Sequence, residues 1–269
     1  MYMEKWKKET ITCKDRSEGW QVAMKEKWIA TSKSAVVVTS VQCRTFDDPI
    51  NCCEFLVSIG GYSPPDDEAW CRQYSVLPHW TTMGWFHAWE CEVGREYEIT
   101  IHFCSRNDSG CQYRDLHMVV WAASAHVWKN RRDPWVKFPV ELQLDIPSQW
   151  NDPFQDHLVL VSGHWNAEAS NKLELIITGK NKEDQEVWRH ASDEKSSTLT
   201  SMTQWSPFLV AAMIPRGDVV RVTFTTTSSG TGDWCHVPTI AVVPATGRTI
   251  YHRKPAAGKQ SVKLPMMTF

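Results

Sequence analysis

The sequence predicts an all-β protein made of two antiparallel β-sandwich units of jelly-roll-like type in tandem. Three observations predict it. Short β-branched or alternating apolar runs recur along the 269 residues, separated by Gly, Pro, Asn, Asp and Ser turns. No segment carries a sustained helical period. The strand pattern also returns after a shift of about 121 residues, the sign of an internal repeat.

The runs, in order, begin with Ala35–Val41, which is β-branched and continuous. Glu54–Ile59 stops at Gly60-Gly61, and Tyr97–Phe103 alternates apolar with polar, as a half-buried strand does. Leu158–Val161, Leu173–Thr178, Val219–Phe224 and Thr239–Val243 continue the series. Asp47-Asp48-Pro49, Tyr62–Pro65, Asn107–Gly110 and Ser228–Gly232 supply turns. Under the shift, Val36 falls on His157, Ile101 on Val222, Phe103 on Phe224 and Met118 on Thr239; near Phe55 one residue less aligns Glu54 with Glu174. This places unit one at 17–129 and unit two at 136–250, joined by the charged stretch Lys129–Pro134. Residues 1–16 read as an N-terminal arm and 251–269 as a C-terminal tail. Such arms stay loose unless a neighbour holds them.

Composition narrows the function. With 29 basic and 31 acidic residues, the chain lacks the basic balance of a dedicated nucleic-acid binder. A local basic tail (Arg248, Arg253, Lys254, Lys259, Lys263) leaves room for weak RNA contact. No apolar run approaches the length of a spanning helix, and the charged N-terminus does not read as a secretory signal. The nine cysteines are odd in number and irregularly spaced, without a C-x-x-C. Their plain reading is buried thiols in a reduced compartment; a secreted protein with a few bridges is the rival.

No Walker loop, G-x-S-x-G or G-x-G-x-x-G is present, and no enzyme or cofactor is expected. His79, His87, His102 and His117 lack metal-ligand spacing, and Asp66-Asp67 reads as a solvated loop rather than a calcium or hydrolase pair. Arg216-Gly217-Asp218 spells an integrin-binding tripeptide, but it is also ordinary turn composition, and Asn107-Asp108-Ser109 is a formal glycosylation acceptor. The 15 tryptophans suit sandwich cores, interfaces or sugar-stacking platforms. Trp80, Trp85 and Trp89 cluster ahead of the strand Tyr97–Phe103, with Trp70 in the preceding loop. Exposed, they would form a glycan platform; core or interface packing is the commoner fate.

Residues 19–61 carry Gly19-Trp20, a strand to Trp28, Thr31-Ser32-Lys33 leading into Val36-Val37-Val38-Thr39, then Asp47-Asp48, Cys52-Cys53, Phe55-Leu56, Gly60-Gly61 and Tyr62-Ser63. This order resembles the first strands of the large coat protein of comoviruses, plant viruses with picornavirus-like capsids. The chain is shorter than that family's two-domain subunit, so a coat protein of a more distant picorna-like virus fits the resemblance better. The resemblance implies tandem jelly rolls and a non-catalytic, self-assembling capsid subunit, located in the virion or host cytoplasm. Its partners would be copies of itself and other coat proteins. The alternative is a cytoplasmic or secreted lectin-like protein of two carbohydrate-binding modules: Gly84-Trp85-Phe86 followed by Gly94–Thr100 is similar to such sandwiches, including F-box-associated sugar-binding domains. An enzyme or toxin on this fold would need a convergent polar cluster.

Overall fold

The computed structural model describes residues 2–14, 16–46, 52–60, 70–74, 80–105, 110–123, 127–130, 136–150, 156–167, 171–195, 204–214 and 218–244. They form an all-β protein of antiparallel sheets arranged as two sandwich-like units. The first unit contains β1 (Tyr2–Lys7), β2 (Ile11–Cys13), β3 (Gln21–Ile29), β4 (Ser34–Thr45), β5 (Cys52–Ile59), β6 (Trp70–Tyr74), β7 (Thr81–Glu90), β8 (Glu96–Ser105) and β9 (Cys111–Ala123). The second contains β10 (Val127–Asn130), β11 (Val136–Lys137), β12 (Val140–Asp145), β13 (His157–Ala167), β14 (Lys172–Lys180), β15 (Glu186–Lys195), β16 (Gln204–Ile214), β17 (Arg221–Ser228) and β18 (Trp234–Pro244).

The two units repeat strand for strand. The inner sheet of unit one runs β1-β9-β4-β7, with β2 also on β9; that of unit two runs β10-β18-β13-β16, with β11 also on β18. The outer sheets run β3-β8-β5-β6 and β12-β17-β14-β15. Even an irregularity recurs. A β-bulge interrupts β4 against β9 between Ser40 and Gln42, and another interrupts β13 against β18 between Ser162 and His164. These anchors correct the sequence alignment by one residue in the inner sheets, where Val36 corresponds to Leu158 rather than His157. Both of those positions point to the same apolar layer.

Three apolar cores lie between four stacked sheets. One fills the first sandwich around Phe55, Trp85, Trp89, Ile99, Ile101, Phe103 and Met118. Another fills the second around Leu173, Leu175, Ile177, Phe224 and Val242. The third joins the units. Val36, Val38, Phe86, Ala88 and Ala123 from the inner sheet of unit one meet Leu158, Leu160, Ala241 and Val243 from that of unit two. Where this third core lies, the inner sheets are therefore apolar on both faces.

Two expectations need correction. Residues 2–7 and 11–13, read as part of a loose charged arm, are strands paired with β9. The charge is explained by where alternate side chains land. Lys5 pairs with Glu26 at 3.1 Å and Lys7 donates to the Ala23 carbonyl at 3.0 Å, closing the edge of the sandwich against β3. On the other face Trp6 stacks on His117 at 3.7 Å, and Glu4 hydrogen-bonds the His117 ring at 2.8 Å. The charged stretch expected to join the units also starts inside unit two's sheet, because β10, ending at Asn130, pairs with β18.

Candidate functional site

The site is built on the outward face of the first unit's inner sheet, at the end beyond the inter-unit core. Two tripeptides of the same form, Gln42-Cys43-Arg44 on β4 and Gln112-Tyr113-Arg114 on β9, run antiparallel so that each Gln opposes the other's Arg. The exchange is reciprocal: Arg44 Nε donates to Gln112 Oε1 at 2.7 Å, and Arg114 Nε donates to Gln42 Oε1 at 2.8 Å. Gln112 also donates to Thr12 Oγ1 of β2 at 3.2 Å. Trp80, just ahead of β7, receives both guanidinium groups over its indole, Arg114 at 4.0 Å and Arg44 at 4.9 Å from the ring centroid. All five side chains are half-buried.

The bulge aims this face. The extra residue on β9, Asp115, adopts φ 51°, and its carboxylate lies 3.5 Å from Arg114 Nε. Unit two repeats the bulge without the chemistry. At the positions of Gln42, Arg44, Gln112 and Arg114, pairing places His164, Asn166, Trp234 and His236. The fold therefore does not require the arginine pair. With each Nε held by a glutamine, the guanidinium planes are pre-oriented for an anionic oxygen, and charge-assisted contacts of this kind are the strong ones.

For Trp85 and Trp89 the structure shows core packing, the commoner of the two fates, rather than the glycan platform of the alternative reading. Trp85 and Trp89 are each 1% exposed in the first core, where Trp89 packs edge-on against Trp28 at 5.9 Å and Tyr97 at 6.2 Å. Only Trp80 of the three reaches the surface. The stretch expected to precede a strand is itself β7, with both faces covered. The histidines are dispersed. His87 and His117 are buried, and His102 lies opposite the Ile99/Ile101/Phe103 face, 3.2 Å from Ser58 Oγ, with its pKa lowered by burial. Among the described residues no group of His, Cys, Asp and Glu could hold a metal ion. Asp66-Asp67, His79, Asn107–Ser109, Arg216-Gly217 and the tail lie outside the described residues, as does the side chain of Trp70; Asp218 is exposed.

Sequence reasoning missed Arg44 and Arg114. The available signal was the repeated Gln-x-Arg tripeptide, which acquires meaning only once β4 and β9 are known to be neighbours.

No helix among the described residues is long and apolar enough to cross a membrane. No protein-family model matches the chain, and no curated protein does. Among solved structures, similarity is found to the VP2 subviral particle of infectious bursal disease virus, with a TM-score of 0.32 and 8% identity over 90% of this chain and 72% of that one. It is also found to the N-terminal tandem CBM22 domain of Xyn10C from Paenibacillus barcinonensis, with a TM-score of 0.27 and 9% identity over 87% of this chain and 98% of that one.

Proposed function

We propose that the chain is a structural, non-catalytic subunit that assembles with copies of itself into a closed shell. The observation that supports this most is the third core. It fuses two sandwiches into one four-layer block, and a shell subunit must transmit contact forces between its edges without hinging. Trp28, Trp85, Trp89 and Trp165 are committed to internal packing, which suits a rigid building block better than a sugar platform. The tandem division belongs to the same proposal, with the expected bounds of 17–129 and 136–250 shifted so that β1 and β2 join the first unit and β10 joins the second. Light scattering and negative-stain microscopy on the full chain test it. Uniform closed particles are expected; a species that stays monomeric or dimeric at high concentration and low salt refutes the proposal.

A second reading, a glycan-binding protein, is favoured by the Arg44–Trp80–Arg114 face. On that reading the ligand is an acidic saccharide whose carboxylate or sulfate meets the two guanidinium groups. Titration of acidic and neutral oligosaccharides against the native chain and W80A, R44A and R114A variants decides it. Selective binding of the acidic sugar, lost in each variant, is expected; equal binding by all four proteins ends this reading.

A further inference from the structure

Beneath the arginine face, the inner side of the same sheet end is lined with thiols. Cys13, Cys43, Cys53 and Cys111 are each fully buried and unbridged. Cys13 on β2 and Cys111 on β9 sit directly opposite each other in an antiparallel pair. Their side chains are within hydrogen-bonding reach. Cys53 reaches across from the outer sheet to both Cys111 and Cys43. Directly opposed residues in such a ladder have Cα atoms about 4.5–5.5 Å apart, inside the range of roughly 4.4–6.8 Å that a disulfide accepts. Cys111 Sγ lies 3.7 Å from the Cys104 carbonyl oxygen. Its contact with Cys13, and then with Cys53, holds its thiol below the usual range against the opposing effect of burial. Cys13 is pushed up, first by its hydrogen bond to Cys111 and then by burial; Cys53 is pushed up first by burial.

Access is supplied by the element that carries Cys13. β2 is three residues long and, among the described residues, pairs only with β9, so opening it breaks few hydrogen bonds. Gly110, at φ 74°, lets the chain entering β9 pass against this strand's end. A Cβ there would stand 2.5 Å from the Cys13 carbonyl oxygen. β5, which carries Cys53, is paired on both sides within its sheet and has no comparable freedom.

We propose that Cys13 and Cys111 are a latent disulfide site, closed by a low-molecular-weight disulfide oxidant to staple the N-terminal strands onto β9. The Cys111 thiolate attacks one sulfur of the oxidant, breaking its S–S bond and releasing one thiolate. Cys13, losing its proton, then attacks the Cys111 sulfur of the mixed disulfide and releases the second thiol. The oxidant gains two electrons and the protein loses two. The closed loop spans nearly the whole first unit, so the bond removes much chain entropy from the unfolded state.

The test uses the full chain, reduced and then equilibrated in glutathione/glutathione disulfide mixtures. Remaining thiols are alkylated after denaturation, and peptides are mapped by mass spectrometry. A Cys13–Cys111 linked peptide is expected, with Tm raised by roughly 5–15 °C and the rise reversed by dithiothreitol. C91A, which removes a buried thiol remote from this cluster, should behave as native, whereas C13A should show no rise. Should C13A fail to fold, the native map alone decides. Alkylated Cys13 and Cys111 throughout, or linkage only through other cysteines, overturns the proposal.

Discussion

Substituting Gly84 tests whether the two sandwiches are packed through their inner sheets. Gly84 lies on β7 opposite Ser40, and a Cβ added there would stand 2.9 Å from Leu209 Cδ2 and 3.1 Å from Leu209 Cβ, across the inter-unit layer. A new rotamer moves Cδ2 aside at little cost, but the Leu209 Cβ is fixed to the backbone of β16. The Gly84→Ala protein must therefore compress that contact or part the sheets by a few tenths of an ångström. Overpacking of this kind costs about 1–3 kcal/mol. Were the face open to water, the same change would instead stabilise the strand by about 0.5–1 kcal/mol, because alanine loses less backbone freedom on folding. The two cases differ in sign. Urea unfolding followed by tryptophan fluorescence measures it, with L209G, which removes the opposing Cβ, and the double variant completing a cycle. G84A should lower the midpoint with the slope unchanged, and the double variant should be more stable than the sum of the singles predicts by about 0.5–1 kcal/mol. A neutral or stabilised G84A with additive singles would refute the four-layer packing.

Four further outcomes are expected. W89A should lose about 3–5 kcal/mol of stability, whereas W80A should leave the midpoint within about 1 kcal/mol, since the first empties the core and the second a surface face. Y113F should cost about 1–3 kcal/mol in the same assay, because the Tyr113 hydroxyl accepts from the Glu54 amide at 2.9 Å and donates to the Cys104 carbonyl at 2.6 Å. G110A should weaken protection of β2 amides in hydrogen exchange while leaving β14 unchanged, because the added methyl strikes the Cys13–Lys14 backbone. His157, 6% exposed, has its pKa lowered by burial, with Asp156 opposing. The unfolded chain therefore binds the proton first as pH falls, so this group's contribution is complete above about pH 6.5 and declines below it by at most about 1.4 kcal/mol per pH unit. H157Q should flatten that acid limb, and an unchanged slope would show that other groups set it.

The strands legible in the sequence were those with one face on a core and the other in solvent, such as β8, where Tyr97, Ile99, Ile101 and Phe103 alternate with polar residues. β14 and the apolar centres of β4 and β13 were equally plain. The register of the repeat was not. Val36-Val37-Val38 and Leu158–Val161 are apolar on both faces because each inner sheet lies between two cores, so period two vanishes and pattern matching cannot tell one parity from the other. The same double burial hid β7, where Met83, Trp85 and Trp89 face one core while Phe86 and Ala88 face the next. β1 was hidden for the opposite reason: its alternate residues close an ion-paired rim rather than an apolar layer. The arginine face was illegible because its partners are 68 to 72 positions apart, and no local spacing announces them.

The contact between Gly84 and Leu209 has an evolutionary corollary. Gly84 lies opposite Ser40 and Leu209 opposite Ser162, and these serines occupy the same place beside the bulge in each unit. The two residues are therefore counterparts that meet each other. Had the sandwiches been separate copies of one polypeptide joined about a twofold axis, the same residue would stand on both sides. Two leucines would collide there, and two glycines would leave a hole. Covalent fusion of the halves lifts that symmetry, allowing one to become the knob and the other the socket. Either sandwich produced alone would then be a poor partner for its own copy, since each carries only one shape of a matched pair.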